Sequence, residues 1–310
     1  MERLRNLEGF SLQGPSTISI GVFDGVHLGH RYLIERLMES AHKSGHLAGV
    51  VTFDRHPDEL LAPHKQIRYL TTLEKKMDLL GELGLDFTVA LPFTGELAQT
   101  PARTFVSTLV EHLQMRELWI GPDFALGRAR QGDAHYLKSL TPELGFRLYH
   151  LEPLTRSGVV ISSSSIRSLI REGHVREAAA LLGRYPCVSG EVTYGAHRGH
   201  RLGFPTANVN VDDRLMIPAT GVYAARVRWD SGNRGGVVNV GTRPTFENRT
   251  QPVVEAHILD FNGDLYGRQL GVEFVERLRP EERFEDAEAL IAQMKRDAVQ
   301  ARAVLDRAEA

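Results

Sequence analysis

Thr17-Ile-Ser-Ile-Gly-Val-Phe-Asp-Gly-Val-His-Leu-Gly-His30 reads as a strand, a tight turn and the opening of a helix. Ile18, Ile20 and Val22 alternate with small residues, the period-two pattern of a strand in a packed sheet. Asp24 and Gly25 supply the turn. His27 and His30 follow three residues apart, a spacing that sets both imidazoles on one face of the first helical turn. A helix start beside a strand's carboxyl end presents backbone N–H groups that the helix itself does not use. With two imidazoles added, the arrangement suits an anion such as phosphate. Gly29 between the histidines leaves room for a ligand to reach the backbone.

Working outward, residues 17–151 alternate strand and helix. The strands expected are Thr17–Phe23, Ala48–Phe53, Phe87–Leu91, Leu118–Gly121 and Phe146–Leu151. Between them fall helices over Leu28–Ser44, Thr72–Leu83, Ala102–Leu113 and Ala134–Leu140, with Thr100 expected to cap the third. Such alternation predicts an α/β domain, a Rossmann-like parallel sheet covered by helices on both faces. Ligands of such sheets bind outside the carboxyl ends of the strands. His27, His30, Asp54, His56, Asp123 and Phe124 all stand just after an expected strand. Residues 162–182 read as helical, opening on the serine run Ser162–Ser165, whose hydroxyls and N–H groups suit phosphate oxygens. Arg167 adds a charged fork to the same anion.

Beyond Gly183-Arg-Tyr-Pro-Cys187 the pattern changes, which sets a boundary between domains 1–184 and 185–310. Strands now follow strands: Val188–Tyr194, Val222–Trp229, Gly236–Val240, Val253–Phe261 and Leu270–Arg277, joined by Gly/Asn/Asp turns. This predicts an antiparallel β-barrel. A terminal helix, about Phe284–Leu305, carries Leu290, Ile291, Met294 and Ala298 toward it at helical spacing. Gly195, Gly199 and Gly203 permit unusual backbone angles and close approach to a ligand. Arg198 brings charge to the same loop. Thr206 and Asn208 are two neutral oxygen ligands suited to a magnesium ion that also holds phosphates. Glu255 shares a strand face with His257, opposite the apolar Val254, Ala256 and Ile258. A carboxylate there can take a proton from a hydroxyl nucleophile.

Composition excludes other classes. Lys and Arg total 37 against 39 Asp and Glu, a net charge of −2, so no overall field gathers nucleic acid. No run of about 18 apolar residues marks a membrane span. The first ten residues lack a signal-peptide core. The single cysteine, Cys187, excludes an internal disulfide and a cysteine metal site, and is expected to be a small buried filler. Together these predict a cytoplasmic enzyme.

Over essentially its whole length the chain resembles the bacterial bifunctional riboflavin kinase/FMN adenylyltransferases. Gly21-Val-Phe-Asp-Gly-Val-His-Leu-Gly-His30, Thr52-Phe-Asp-Arg-His-Pro57, Gly121-Pro-Asp-Phe124 and Ile161-Ser-Ser-Ser-Ser-Ile-Arg167 are similar to the adenylyltransferase motifs. Leu202-Gly-Phe-Pro-Thr-Ala-Asn208, Gly221-Val-Tyr-Ala224, Asn239-Val-Gly-Thr-Arg-Pro-Thr-Phe246 and Glu255-Ala-His-Ile-Leu-Asp-Phe261 are similar to riboflavin kinase. The resemblance implies that the C-terminal domain phosphorylates riboflavin with ATP. It implies that the N-terminal domain joins the resulting FMN to AMP from a second ATP, releasing pyrophosphate. Glu255 is then the kinase base, and Thr206 and Asn208 hold Mg2+ with ATP. Gly195, Arg198, Gly199 and Gly203 replace the absent GxxxxGK[ST] loop. His27 and His30 stabilise charge on the α-phosphate. Gly21, Phe23, Asp24, Gly25, Gly29, Ser163, Ser164 and Arg167 complete the other ATP site, and Asp54, His56, Asp123 and Phe124 the flavin site. Riboflavin, FMN and ATP are the expected partners, without nucleic acid or membrane, in a monomer or weak homo-oligomer.

Departures from the family pattern are Arg55, Ala125 with Leu126, and His200. Taken singly, each candidate has a plainer reading: helix caps for the histidines and serines, turn residues for Thr206, Asn208, Asp54, His56 and Asp123, a solvent-facing strand residue for Glu255. Two other functions stay open on the residues alone: adenylyl transfer to a different mononucleotide or to phosphopantetheine with a regulatory barrel, and RNA binding by the barrel.

Overall fold

The opening stretch folds as a strand that stops at Ile20, a loop over residues 21–27, and a helix that starts at Leu28. The computed structural model describes residues 1–7, 10–194, 204–244 and 250–309. They pack as two units, 1–67 with 72–162, and 68–71 with 163–310.

The first unit runs β1 (Glu2–Leu4), β2 (Ser16–Ile20), α1 (Leu28–Ser44), β3 (Leu47–Phe53), α2 (Pro57–Leu61), α3 (Leu73–Gly81), β4 (Phe87–Leu91), α4 (Gly95–Gln99), α5 (Ala102–Leu113), β5 (Met115–Ile120), β6 (Ala125–Leu126), β7 (Gly132–Asp133), α6 (Ala134–Leu144) and β8 (Arg147–His150), then a small hairpin of β9 (Thr155–Arg156) and β10 (Val159–Val160). The main sheet has the order β1-β4-β3-β2-β5-β8, and every pairing in it is parallel. From β2 the chain winds outward through β3 and β4, then returns to the other side at β5. The order therefore reverses between β2 and β5, where open α/β sheets bind their ligands.

Alternation along β3 explains why both faces are covered. Val51 joins Ile18, Ile20 and Val89 under α5 and α6, whereas Ala48 and Val50 meet Leu33, Ile34 and Leu37 of α1. Gly49 lies against the Phe87 ring: a Cβ there would sit 2.1 Å from it. Thr100, expected to cap α5, instead closes α4 through its hydroxyl on the Glu96 carbonyl. Pro101 takes the cap position of α5 with no side-chain bond, because its lack of an N–H costs nothing there.

The second unit comprises α7 (Ser163–Glu172), α8 (Val175–Leu182), β11 (Cys187–Thr193), β12 (Ala207–Val211), β13 (Gly221–Trp229), β14 (Gly232–Pro244), β15 (Thr250–Ile258), β16 (Gln269–Arg279) and α9 (Ala287–Glu309). Its strands close into an antiparallel barrel in the order β11-β12-β15-β14-β13-β16, with β16 returning to β11. Inward positions are apolar: Val188, Val192, Val238, Val240, Val254 and Ala256 meet Tyr223 and Phe274 inside. Both fold expectations hold, a parallel α/β sheet first and an antiparallel barrel with a terminal helix second.

Two expectations in this unit are corrected. Cys187 is exposed rather than buried, because strand alternation turns Val188 inward and its predecessor out. The deep contacts of α9 are Ala301, Val304 and Leu305 against Ala224, Leu259 and Val275; Leu290, Ile291, Met294 and Ala298 are only half-buried. Near its middle the helix is fastened by Asp297, 2% exposed, which accepts from Arg279 Nε at 3.0 Å and Nη2 at 2.8 Å and from Gln293 at 2.8 Å.

Candidate active sites

At the carboxyl end of β2 the backbone turns sharply. Phe23 (φ 51°), Gly25 (φ 82°) and Val26 (φ 41°) all take left-handed angles. For a bulky or β-branched side chain that conformation is strained, and such strain persists only where surrounding packing holds it. Here Phe23 and Val26 are buried in the core beneath α1, and the Val26 N–H bonds the Phe23 carbonyl at 3.1 Å. The loop so formed holds Asp24, itself buried.

His27 then caps α1. Its Nδ1 accepts the His30 N–H at 3.3 Å, which leaves the proton of a neutral ring on Nε2. The two imidazoles stack, centroids 3.6 Å apart and planes 17° from parallel, and Phe23 meets His30 edge-on at 5.0 Å. A Cβ on Gly29 would come within 3.2 Å of the His27 ring and of the Ile161 carbonyl, so glycine lets that ring lie against the helix start. The expected sharing of one face by the histidines is thus present as a ring stack at the sheet's switch point.

The neighbouring strand end is built from turn chemistry. Asp54 Oδ1 accepts the Phe93 N–H at 2.9 Å, tying the end of β3 to the loop after β4. His56 Nδ1 accepts the Asp58 N–H at 3.0 Å and caps α2. Between this strand end and the β2 loop lies Lys76 of α3, only 6% exposed. Its Nζ donates to the Val22 carbonyl at 3.0 Å, Thr52 Oγ1 at 3.0 Å and the Phe53 carbonyl at 2.8 Å. Burial pulls its pKa down to about 8, against the opposing pull of the Asp24 and Asp54 carboxylates. Across the switch point, Asp123 is exposed and its carbonyl accepts from Arg130, while Phe124 packs partly into the core. Ala125 and Leu126 form β6, with Leu126 buried.

In the second unit, α7 begins within the serine run, so Ser163 and Ser164 occupy its first turn. Arg167 lies one turn on and donates from Nε to the Arg68 carbonyl at 2.8 Å, which fixes its guanidinium.

The barrel brings together residues that lie far apart in sequence. The plainer reading of Asn208 as a turn residue does not hold, because Asn208 belongs to strand β12. Asn208 stands directly opposite Glu255 of β15, and Glu255 directly opposite Asn239 of β14. Facing residues in adjacent strands point the same way, with Cβ atoms about 4.5–5.5 Å apart. Since Val254, Ala256, Val238 and Val240 point inward, the row Asn208, Glu255, Asn239 lines the outer wall. His257, on the same face as Glu255, donates from Nδ1 to the Pro205 carbonyl at 2.9 Å, and its ring meets Phe204 edge-on at 5.2 Å. These contacts seat the segment that carries Thr206. Thr206 lines a cavity of about 270 Å³ with Ala207, Ile258, Phe261, Asp264 and Tyr266. At its rim Tyr194 and Tyr266 stack, centroids 4.1 Å apart. Gly195, Arg198, Gly199 and Gly203 lie outside the described residues, as does His200.

Residues 10–165 match the FAD synthetase family and residues 182–305 the riboflavin kinase family. The chain is 37% identical over 308 residues to the bifunctional riboflavin kinase/FMN adenylyltransferase of Escherichia coli (strain K12), with 97% of each chain covered. The chain belongs to the bifunctional riboflavin kinase/FMN adenylyltransferase family. Within this family the relative from Bacillus subtilis (strain 168) is 33% identical over 290 residues, 92% of this chain and 91% of that one. A crystal structure described as a macrolide-efflux protein from Streptococcus pneumoniae shares the fold, at TM-score 0.89 and 28% identity over 97% of this chain and 98% of that one. Among the described residues no helix is long and apolar enough to cross a membrane.

The family's two transferase modules stand in the expected order. The FAD synthetase match spans the parallel sheet except its edge strand β1, and the first turn of α7; the riboflavin kinase match spans the barrel and most of α9. Lys76 and Asn239 were not singled out from sequence. Lys76 had a signal: it lies three and four residues before Leu79 and Leu80, on the buried stripe of α3.

Proposed function

We propose that the barrel transfers the γ-phosphoryl group of ATP to the ribityl 5′-hydroxyl of riboflavin, and that the N-terminal module couples the FMN formed to AMP from a second ATP, releasing pyrophosphate. The observation that supports this best is the row Asn208–Glu255 on adjacent strands, with Thr206 at the neighbouring cavity. It sets a carboxylate that can accept a proton beside the neutral oxygen of Asn208, with Thr206 two residues earlier in the chain. Those oxygens fit Mg2+, a hard cation that prefers oxygen ligands and shares its shell with nucleotide phosphates. When bound with ATP, the ion would neutralise phosphate charge during transfer. Glu255 orients and deprotonates the hydroxyl, and Asn208 and Thr206 fix the nucleotide's phosphate end. Gly195, Arg198, Gly199 and Gly203 are assigned to ATP binding from the sequence motif alone, since they lie outside the described residues.

In the other reaction the FMN phosphate is already a nucleophile, so no covalent enzyme intermediate is needed. His27 donates from Nε2, and with His30 it stabilises charge growing on the α-phosphate. Gly21, Phe23, Asp24, Gly25 and Gly29 shape the loop that receives ATP. Ser163, Ser164 and Arg167 hold the leaving phosphates, which is why the functional boundary is set at 184/185. Asp54, His56, Asp123 and Phe124 border the flavin. The near-balanced charge and single cysteine support action in the cytoplasm without nucleic acid, as a monomer or weak homo-oligomer. Incubation of the chain with riboflavin, ATP and Mg2+, followed by chromatography of the flavins, tests the reading: FMN and then FAD are expected. Absence of FMN would remove the kinase, and absence of FAD from supplied FMN would remove the adenylyltransferase.

A further inference from the structure

We propose that Lys76 is a positioning residue for adenylyl transfer: its buried ammonium locks the β2–α1 loop to the end of β3 and thereby sets where His27 and His30 meet the nucleotide. The inference rests on the reading of the N-terminal module given above.

An ammonium has three N–H donors, and all three are used, on Val22, Thr52 and Phe53. Thr52 Oγ1 in turn donates to the Val22 carbonyl at 3.0 Å, which closes a ring of bonds between the two strand ends. Val22 directly precedes the turn at residues 23–26, in which Phe23 and Val26 are strained, a stretch that keeps its shape only while its flanks are held. Burying a charge in this way is costly, and an apolar side chain would fill the same interior space without that cost. The groups that face the ammonium are Asp24 from the β2–α1 loop and Asp54 from the segment after β3. Loss of its proton leaves two N–H donors and a lone pair against three acceptors. One bond then breaks and the loop slackens.

The test follows FAD formation from supplied FMN and Mg-ATP between pH 6.5 and 9.5, with riboflavin phosphorylation in the same samples as an internal control. For the wild type, kcat/KM for FAD formation is expected to fall as pH passes about 8, without a matching limb in the kinase step. Lys76→Met is expected to raise KM for ATP or FMN about tenfold or more, to leave the kinase within twofold, and to lack that limb in its residual activity. Thr52→Val keeps the ammonium and removes one acceptor, so it should move the limb to lower pH; it carries the test should the Met variant not fold. FAD kinetics within twofold of wild type for Lys76→Met, or a limb left in place in either variant, would overturn the proposal. A wild-type chain that forms no FAD at any pH would instead overturn the functional reading, and this inference with it.

Discussion

Glu255 shows how much one side chain's direction decides. It projects from the wall of the barrel while its neighbours Val254 and Ala256 fill the interior, so its carboxylate can meet a hydroxyl at the surface. Glu255→Gln should lower FMN formation roughly 10²–10⁴-fold, the usual worth of a general base, and spare FAD formation from supplied FMN. Equal loss of both activities in a folded variant would contradict separate sites. His30→Ala should do the reverse, costing FAD formation roughly 10²–10³-fold while riboflavin phosphorylation continues. Lys76 adds a pH effect on stability. Its folded pKa of about 8 lies below the ordinary 10.5, so between those values the unfolded chain binds more protons. Stability from this group therefore rises with pH across that window and is lost as pH falls through 8, by on the order of 3 kcal/mol. Urea melts at pH 7.5 and 9.5 should show wild type gaining on Lys76→Met at the higher pH.

At the scale of elements, what could be read depended on whether burial leaves a period in the sequence. β4, α1 and α5 took the bounds expected, and β3 began one residue earlier, because two-sided burial and an amphipathic stripe both write regular patterns. β12 was missed. Its outward residues Asn208 and Asn210 are polar turn formers, and Pro205 stands just before it, so local chemistry spoke for a loop while barrel closure made a strand. The three-residue β1 was missed because its parallel partner, β4, is more than eighty residues away. The candidate histidines were legible through spacing and the neighbourhood of a strand end. Lys76 was marked only by its place on the apolar stripe of α3, a weak signal because a lysine in a helix ordinarily faces water. The ion pair of α9 is an element-scale feature too. Asp297→Ala leaves Arg279, 14% exposed at its side chain, without its main partner, and should destabilise the barrel unit by about 3–5 kcal/mol in a thermal melt.

At the scale of the whole chain, each unit has its own apolar interior. Calorimetry should resolve two transitions rather than one, and Asp297→Ala should lower only the transition that accompanies loss of riboflavin phosphorylation. A single shared transition that moves as one would show the units to be thermodynamically coupled. The barrel's geometry also limits how such a chain can vary over time. Along β15 every second residue belongs to the interior, so an insertion or deletion of one amino acid between the strand's start and Glu255 would send the carboxylate into the oily centre and a valine out to water. The site can accept changes of letter there but not of length, and two-residue changes should be tolerated better than single ones.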